Sequence, residues 1–239
     1  MKTISIDFWN TLVDAKTGGN QRHEARINKV KSLAAKYDKS VTNEQIEAAK
    51  KQISAEFDLE WLGKQRTMLT HELVDRILTH LNIPAKKSEK ADLTFTFQHS
   101  LLMGPPELAT DVISIIPQLA EKYPLAIISD TMFSPGSVLR AFLQTNQLLD
   151  YFSHFVFSDE VGYSKPDKRA FLQVLEKNKA LAQHSIHVGD IQATDIIGAQ
   201  SVGMKAVLFT GLSDKDADST TADFTATSWK QVASFCLKD

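Results

Sequence analysis

After residue 104 the chain alternates short apolar runs with amphipathic stretches, and this alternation is what most restricts its fold. "PLAIISD", "HFVFSD", "SIHVGD" and "KAVLF" read as strands, and the stretches between them carry helical spacing. A helix is predicted from Leu108 to Tyr123, and "SPGSVLRAFLQ" reads as a second, with Ser134 as its N-cap and Pro135 at its first position. Further helices are predicted over 167–179, 193–202 and after Ser228, and a short strand near 223–225. Ile4, Ile6 and Phe8 alternate at the N-terminus and supply one more strand. Strands that alternate with helices build a parallel sheet covered on both faces.

One block breaks the alternation. "AKTGGNQ" (15–21) reads as a loop, and for about eighty residues after it the spacing is purely helical. Ile27, Val30, Ala34 and Tyr37 form one stripe, Ile46, Ala49, Ile53 and Phe57 a second, and Leu69, Leu73, Ile77 and Leu81 a third. A fourth helix is expected between Lys87 and Leu102. Thr42 with Gln45 three residues on has the pattern of a capping box. "MGPPE" (103–107) ends the block, because paired prolines stop a helix. The expected fold class is therefore α/β. It comprises a Rossmann-like parallel sheet with helices on both faces over residues 1–15 and 104–239, and an inserted α-helical domain over 16–103.

Composition narrows the function classes. The 239 residues are 43% hydrophobic and 23% charged, with a formal net charge of −2, as expected of a soluble globular chain. No basic stripe marks a nucleic-acid surface. No apolar run has the length of a membrane span. The single cysteine, Cys236, cannot form an internal disulfide and is expected as a buried residue of the last helix. "MKTISIDF" enters a strand directly, without the pattern of a signal peptide. A cytoplasmic protein with a small-molecule partner is expected, and neither nucleic acid nor membrane.

Open parallel sheets bind ligands beyond the C-terminal ends of their strands. The strand ends here deliver Asp7, then Ser129 and Asp130, then Lys165 in "SDEVGYSKPD", then Gly189 and Asp190, with Asp195 five residues on. Singly, each has an ordinary structural use as a turn or cap residue. Together they would bring several carboxylates to one rim. At an effective dielectric near 20, a carboxylate pair at ~5 Å repels by roughly 3 kcal/mol. Such a site calls for cations: Lys165 is one, and a hard divalent ion such as Mg²⁺ suits the oxygen ligands. A carboxylate held beside them can attack an electrophile and form a covalent intermediate.

These residues resemble the motifs of the haloacid dehalogenase superfamily of hydrolases. "DFWNT" stands for its first motif, Ser129 for its second, Lys165 in "SKPDKRAF" for its third, and "GDIQATD" for its fourth. The helical insert matches the family's cap. The resemblance implies Asp7 as nucleophile, with Ser129 and Lys165 holding the transferring group. It implies an Mg²⁺ site made by Asp7, the carbonyl of Trp9 and Asp190, with Asp195 in support. Thr11 would order the loop, and Trp9, Asn10, Ser129 and Asp130 would line the substrate side. The departure lies at Trp9, where family phosphatases carry an Asp that moves the proton. Loss of general acid–base catalysis costs typically ~10²–10⁴-fold. Asn10 stands for a usual glycine and Asp130 for a frequent asparagine. Asp130 is expected as a polar clamp on substrate or as a replacement proton carrier. The implied activity is that of a phosphatase on a small phosphorylated metabolite. The alternatives are cleavage of a phosphonate or carbon–halogen bond, or ligand binding without turnover. Lys29, Lys50 and Lys64 are expected on a solvated face. Arg22 and His23, where the chain enters the insert, are candidates for touching substrate, the alternative being ordinary surface charges at a helix N-terminus.

Overall fold

The computed structural model describes residues 1–238. The chain runs through β1 (Ile4–Ile6), β2 (Val13–Asp14), α1 (Gly19–Ala35), α2 (Asn43–Lys64), α3 (Thr70–His80), α4 (Lys87–Met103) and β3 (Glu107–Leu108). It continues with α5 (Val112–Ala120), β4 (Leu125–Ser129), α6 (Gly136–Thr145), β5 (Phe152–Phe157), α7 (Ser158–Val161) and α8 (Lys168–Lys177). The last elements are β6 (Ile186–Gly189), α9 (Ile197–Gln200), β7 (Lys205–Phe209), β8 (Phe224–Ala226) and α10 (Trp229–Cys236). Six strands form one parallel sheet in the order β5-β4-β1-β6-β7-β8. The chain leaves the central β1, builds one side with β4 and β5, then returns to build the other. That places the reversal of strand order beside β1, where such sheets bind ligands.

Side chains alternate across the sheet with the period of two that strands impose. Leu125 and Ile127 of β4, with Val207 and Phe209 of β7, face α5, α6 and α10, where Ile116, Leu139 and Trp229 are buried. Ala126, Ile128, Ala206 and Leu208 face Phe171 and Val174 of α8 and Ala199 of α9. Cys236 is buried in α10 as expected, and burial pushes its thiol up to about 12.

Helices α1 to α4 share a separate core built on Val30, Ile53, Met68, Leu73, Ile77 and Leu93. The three predicted stripes supply most of it. Thr42 and Gln45 form the capping box expected of them. Two linkers join this insert to the sheet, and Arg22 clasps both. Its terminal nitrogens donate to the carbonyls of Ala15 and Thr17 on one linker and of Gly104 on the other, at 2.6–2.9 Å. Gly18 holds a left-handed φ of 66°, and a Cβ there would lie 2.3 Å from the Gly104 carbonyl oxygen, so only glycine fits the junction.

Three local expectations change. The helix predicted over Leu108–Tyr123 is shorter, because Glu107–Leu108 pairs antiparallel with Val13–Asp14 before α5 begins at Val112. Ser134 does not cap α6, which starts at Gly136; the carboxylate of Asp159 accepts the Gly136 N–H instead. The helix over 193–202 opens with a wide π turn, Gln192–Ile196, before α9. Among the described residues no helix is long and apolar enough to cross a membrane.

Candidate active site

Asp7 follows β1 directly, and its amide donates to Val188 of β6 at 2.9 Å, which holds it at the sheet's rim. Lys165 reaches it from the loop after α7. The ammonium donates to Asp7 Oδ1 at 2.5 Å and to Asp195 Oδ1 at 2.7 Å. All three side chains are nearly sealed from solvent. Burial works against the charged ammonium, but Asp195, Asp7 and Asp130 together raise its pKa above the ordinary lysine range. Lys165 is therefore held in its charged form.

The carboxyls split. Burial raises Asp7 well above the usual carboxylate range, helped by the charges of Asp195 and Asp190 and opposed by Lys165. Burial and Asp195 push Asp190 up to about 7, with the Asn10 amide acting the other way. For Asp195 burial is outweighed by Lys165 and His187, and its carboxyl is held well below the ordinary range. Four carboxyls, those of Asp7, Asp130, Asp190 and Asp195, thus face one ammonium. This charge deficit is what a divalent cation corrects.

The donor set fits Mg²⁺. Asp195 stands behind the lysine, in the supporting place expected of it: its Oδ1 takes Lys165 and the Nε2 of His187 at 2.9 Å, and its Oδ2 takes the Ile191 N–H at 3.0 Å. Among the described residues no three His, Cys, Asp or Glu side chains converge at ligand spacing. What remains is Asp7, Asp190 and the backbone carbonyl of Trp9. Mg²⁺ accepts so few protein ligands because it keeps several of its waters. Gly189 explains the "GD" pair: a Cβ there would sit 2.3 Å from Asp195 Cγ, so the missing side chain is the space that Asp195 fills.

Ser129 ends β4 with its hydroxyl buried and without any protein partner. Buried polar groups are rarely left so, and a ligand oxygen at the rim would satisfy it. Thr11 is buried; its carbonyl accepts the Trp229 indole N–H at 3.0 Å, and its hydroxyl, like that of Ser129, has no protein partner. Asn10 has a φ of 51°, a conformation that asparagine tolerates better than most residues, which accounts for its standing where a glycine was expected. Trp9 is half-buried, edge-on to Phe8 at 5.2 Å, with the Arg22 guanidinium 5.8 Å from its ring centre.

Asp130 joins protein to protein: its Oδ1 accepts the Lys165 backbone N–H at 3.0 Å and its Oδ2 the indole N–H of Trp61 on α2 at 2.7 Å. Burial lifts it to about 6. Three further bonds seat the α2–α3 loop here. Ser164 N–H donates to Gln65 O, Thr67 shares a hydrogen bond with Ser164, and Thr70 donates to Phe133 O. The three insert lysines expected on a solvated face have partners: Lys29 pairs with Asp92, Lys64 with Glu60, and Lys50 with Glu47 and His23.

Two residues that sequence reasoning passed over extend the network inward. Ser5 Oγ lies 2.8 Å from His187 Nδ1, and His187 in turn holds Asp195. Burial lowers the His187 pKa, so the ring is neutral, accepts from Ser5 at Nδ1 and donates from Nε2. The signal was present: Ser5 and His187 are polar residues inside two apolar strands, directly paired in register and on the same face as Asp7 two residues later.

Comparison with known proteins agrees with this geometry. Over 60 residues the chain is 42% identical to a glyceraldehyde 3-phosphate phosphatase from Pyrococcus abyssi, a match spanning about a quarter of each protein. Over 70 residues it is 36% identical to a ribulose-1,5-bisphosphate 5-phosphatase from Halopiger xanaduensis, covering 29% of each. The fold as a whole matches a 2-haloacid dehalogenase from Pseudomonas syringae, with a TM-score of 0.74 and 23% identity over 98% of this chain and 97% of that one. It also matches a magnesium-bound hydrolase from Bacillus subtilis, with a TM-score of 0.69 and 19% identity over 99% of both. The model of the haloacid dehalogenase-like hydrolases matches residues 7–209, from Asp7 to the end of β7, and the chain belongs to that family of enzymes.

Proposed function

We propose that the chain is an Mg²⁺-dependent phosphatase of a small phosphorylated compound, working through a covalent phosphoryl group on Asp7. The observation that carries this reading is the Asp7–Lys165 pair at 2.5 Å beside the unpartnered hydroxyl of Ser129. A nucleophile, a cation and a hydroxyl donor face one point at the switch of the sheet. The relatives named as phosphatases support it over the segments they share. The four helices 19–103 act as a cap that covers this point.

Asp7 attacks phosphorus with a carboxylate oxygen while the bond to the leaving alcohol breaks. Lys165 is held by Asp195 so that its ammonium meets the charge spreading over the phosphoryl oxygens. Ser129 donates to one of those oxygens. Asp7, Asp190 and the Trp9 carbonyl would hold the metal, which would supply further neutralisation of that charge. Water then attacks phosphorus, releases inorganic phosphate and restores Asp7. Trp9 has no proton to give the departing alcohol, and Asp130 is engaged elsewhere, so acidic leaving groups are favoured. The test is phosphate release from p-nitrophenyl phosphate with and without Mg²⁺. Asp7→Asn, nearly isosteric, should lose essentially all turnover while its circular dichroism stays native. Retained turnover in that variant would place the nucleophile elsewhere.

A further inference from the structure

Ser5 of β1 and Asp7, two residues on, share one face of the strand's line. A chain of four hydrogen bonds leaves the backbone at the first and returns to it at the second. Ser5 Oγ lies 2.8 Å from His187 Nδ1, and His187 Nε2 lies 2.9 Å from Asp195 Oδ1. The Lys165 ammonium stands 2.7 Å from that same oxygen and 2.5 Å from Asp7 Oδ1. Ser5, His187 and Asp195 are fully buried, and Lys165 and Asp7 nearly so.

Donor counting gives this chain one direction. The Asp195 carboxylate can only accept, so His187 Nε2 must carry a hydrogen. A second hydrogen on the ring would set another buried charge beside the ammonium, with one carboxylate oxygen shared between them. The ring therefore keeps a single hydrogen, Nδ1 is bare, and Ser5 is the donor to it. The sheet fixes this contact, because Ser5 and His187 are partners in register between β1 and β6. Phe171 of α8 stands edge-on to the imidazole at 5.1 Å and supports it.

The consequence falls on Lys165. An ammonium is a compact charge on a flexible four-carbon stem, so its aim depends on its acceptors. Ile191 N–H holds Asp195 Oδ2 at 3.0 Å, and the imidazole N–H occupies one side of Oδ1. The carboxylate is held against rotation, and one side of Oδ1 is left for Lys165, whose next hydrogen falls on Asp7. Without the imidazole, Asp195 would offer all of Oδ1 to the ammonium and draw it away from Asp7.

We infer that His187, with its tautomer set by Ser5, is a positioning residue: it orients Asp195 so that the Lys165 ammonium is aimed at Asp7 and at the group Asp7 attacks. This rests on the phosphatase reading of the site, and one arm of its test is independent of that reading. Three variants are compared. His187→Phe keeps a flat ring against Phe171 and deletes both bonds. His187→Gln has an amide that still donates to Asp195. Ser5→Ala removes one oxygen at the far end of the chain. Circular dichroism checks that each folds.

The first arm is turnover of p-nitrophenyl phosphate with Mg²⁺. His187→Phe should lower kcat about tenfold or more and change KM by less than about threefold, since a misplacement of ~1 Å costs up to ~10²-fold in rate. His187→Gln should regain most of that loss, and Ser5→Ala should lose less than His187→Phe. The second arm is NMR of nitrogen-labelled, metal-free protein. His187 should carry its hydrogen on Nε2 with Nδ1 bare. The Lys165 ammonium signal, assigned by its absence from Lys165→Met, should shift in His187→Phe and return in His187→Gln. A hydrogen on Nδ1, an unmoved Lys165 signal, a native kcat in folded His187→Phe, or a His187→Gln no better than His187→Phe overturns the inference. If His187→Phe does not fold, Ser5→Ala must lower kcat and move the Lys165 signal. Failure of the native protein to release phosphate removes the phosphatase reading, and the Lys165 signal then decides the positioning alone.

Discussion

Lys165 meets Asp195 at 2.7 Å, and Lys29 meets Asp92 at 2.6 Å. The distances match, yet the two pairs belong to different regimes. The first is 3% and 1% exposed, the second 34% and 57%. At the sheet's rim every charged group is fixed by the others, because none can fall back on water. On the helical insert each pair is half-solvated, and its partners exchange one favourable environment for another. The fold thus confines its sealed ion pairs to the rim and leaves those of the insert in contact with water.

The sharpest way to break this contrast is Lys165→Met. The substitution keeps the length of the side chain and deletes the charge, which leaves Asp7 and Asp195 facing each other in a sealed site. Removing one partner of a buried pair costs ~3–5 kcal/mol, read as a lowered urea midpoint, and phosphatase turnover should vanish with it. A loss below ~1 kcal/mol would put Lys165 in the same class as Lys29. Adding Asp195→Asn should recover part of the stability and none of the activity.

The same contrast explains what could be read in the sequence. The rim was legible because a parallel sheet sends every strand end to one edge, and "GDIQATD" spaces Asp190 and Asp195 so that one faces outward and one packs on Gly189. The capping box at Thr42 was legible because it closes within three residues. Elements set by distant partners were not. Asp159 caps α6 from 23 residues away, and Val13–Asp14 claims Glu107–Leu108 across the whole insert. Asp195 is a carboxylate at the expected place, but its role turned on His187 and Lys165, which only the folded chain brings to it. Trp61 gave no local sign that it would reach Asp130.

Acidity separates the two regions next. Asp190 sits at about 7 and Asp130 at about 6 in the folded chain, both raised by burial. Between the ordinary carboxylate range near ~4 and those values, the folded state holds protons that the unfolded state has lost. Stability therefore falls as pH rises through this window, by about 1.4 kcal/mol for each unit separating the folded and unfolded values of a group. Asp195, held low, loses its contribution only in stronger acid. In EDTA the urea midpoint should drop from pH 5 to pH 7.5. Saturating Mg²⁺ favours the Asp190 carboxylate and should remove most of the drop. A midpoint indifferent to both pH and Mg²⁺ would deny the rim its charge deficit.

Trp9→Asp probes the rim from the side of proton transfer. An acid at position 9 would stand beside the scissile oxygen and protonate a poor leaving group. The gain on alkyl phosphates relative to aryl phosphates should be ~10²-fold. Trp9 is half-buried, so the loss of packing should fall below the ~3–5 kcal/mol of a fully buried aromatic. If the native protein already hydrolyses alkyl and aryl esters at equal rates, another group carries the proton and the variant should gain nothing.

The smallest effect belongs to Lys29→Ala. The ammonium of Lys29 keeps a third of its side-chain surface in water and Asp92 keeps more than half. The Coulomb gain between such groups is small, and holding two long side chains in one geometry cancels much of it. Exposed pairs contribute ~0.2–1 kcal/mol, and salt screens what there is. Lys29→Ala should therefore lower stability by no more than ~1 kcal/mol in low salt and by less in high salt. It should leave turnover untouched. A loss well above ~1 kcal/mol that persists in high salt would mean that the insert depends on its surface charges as the rim depends on its buried ones, and the contrast between the two regions would have to be given up.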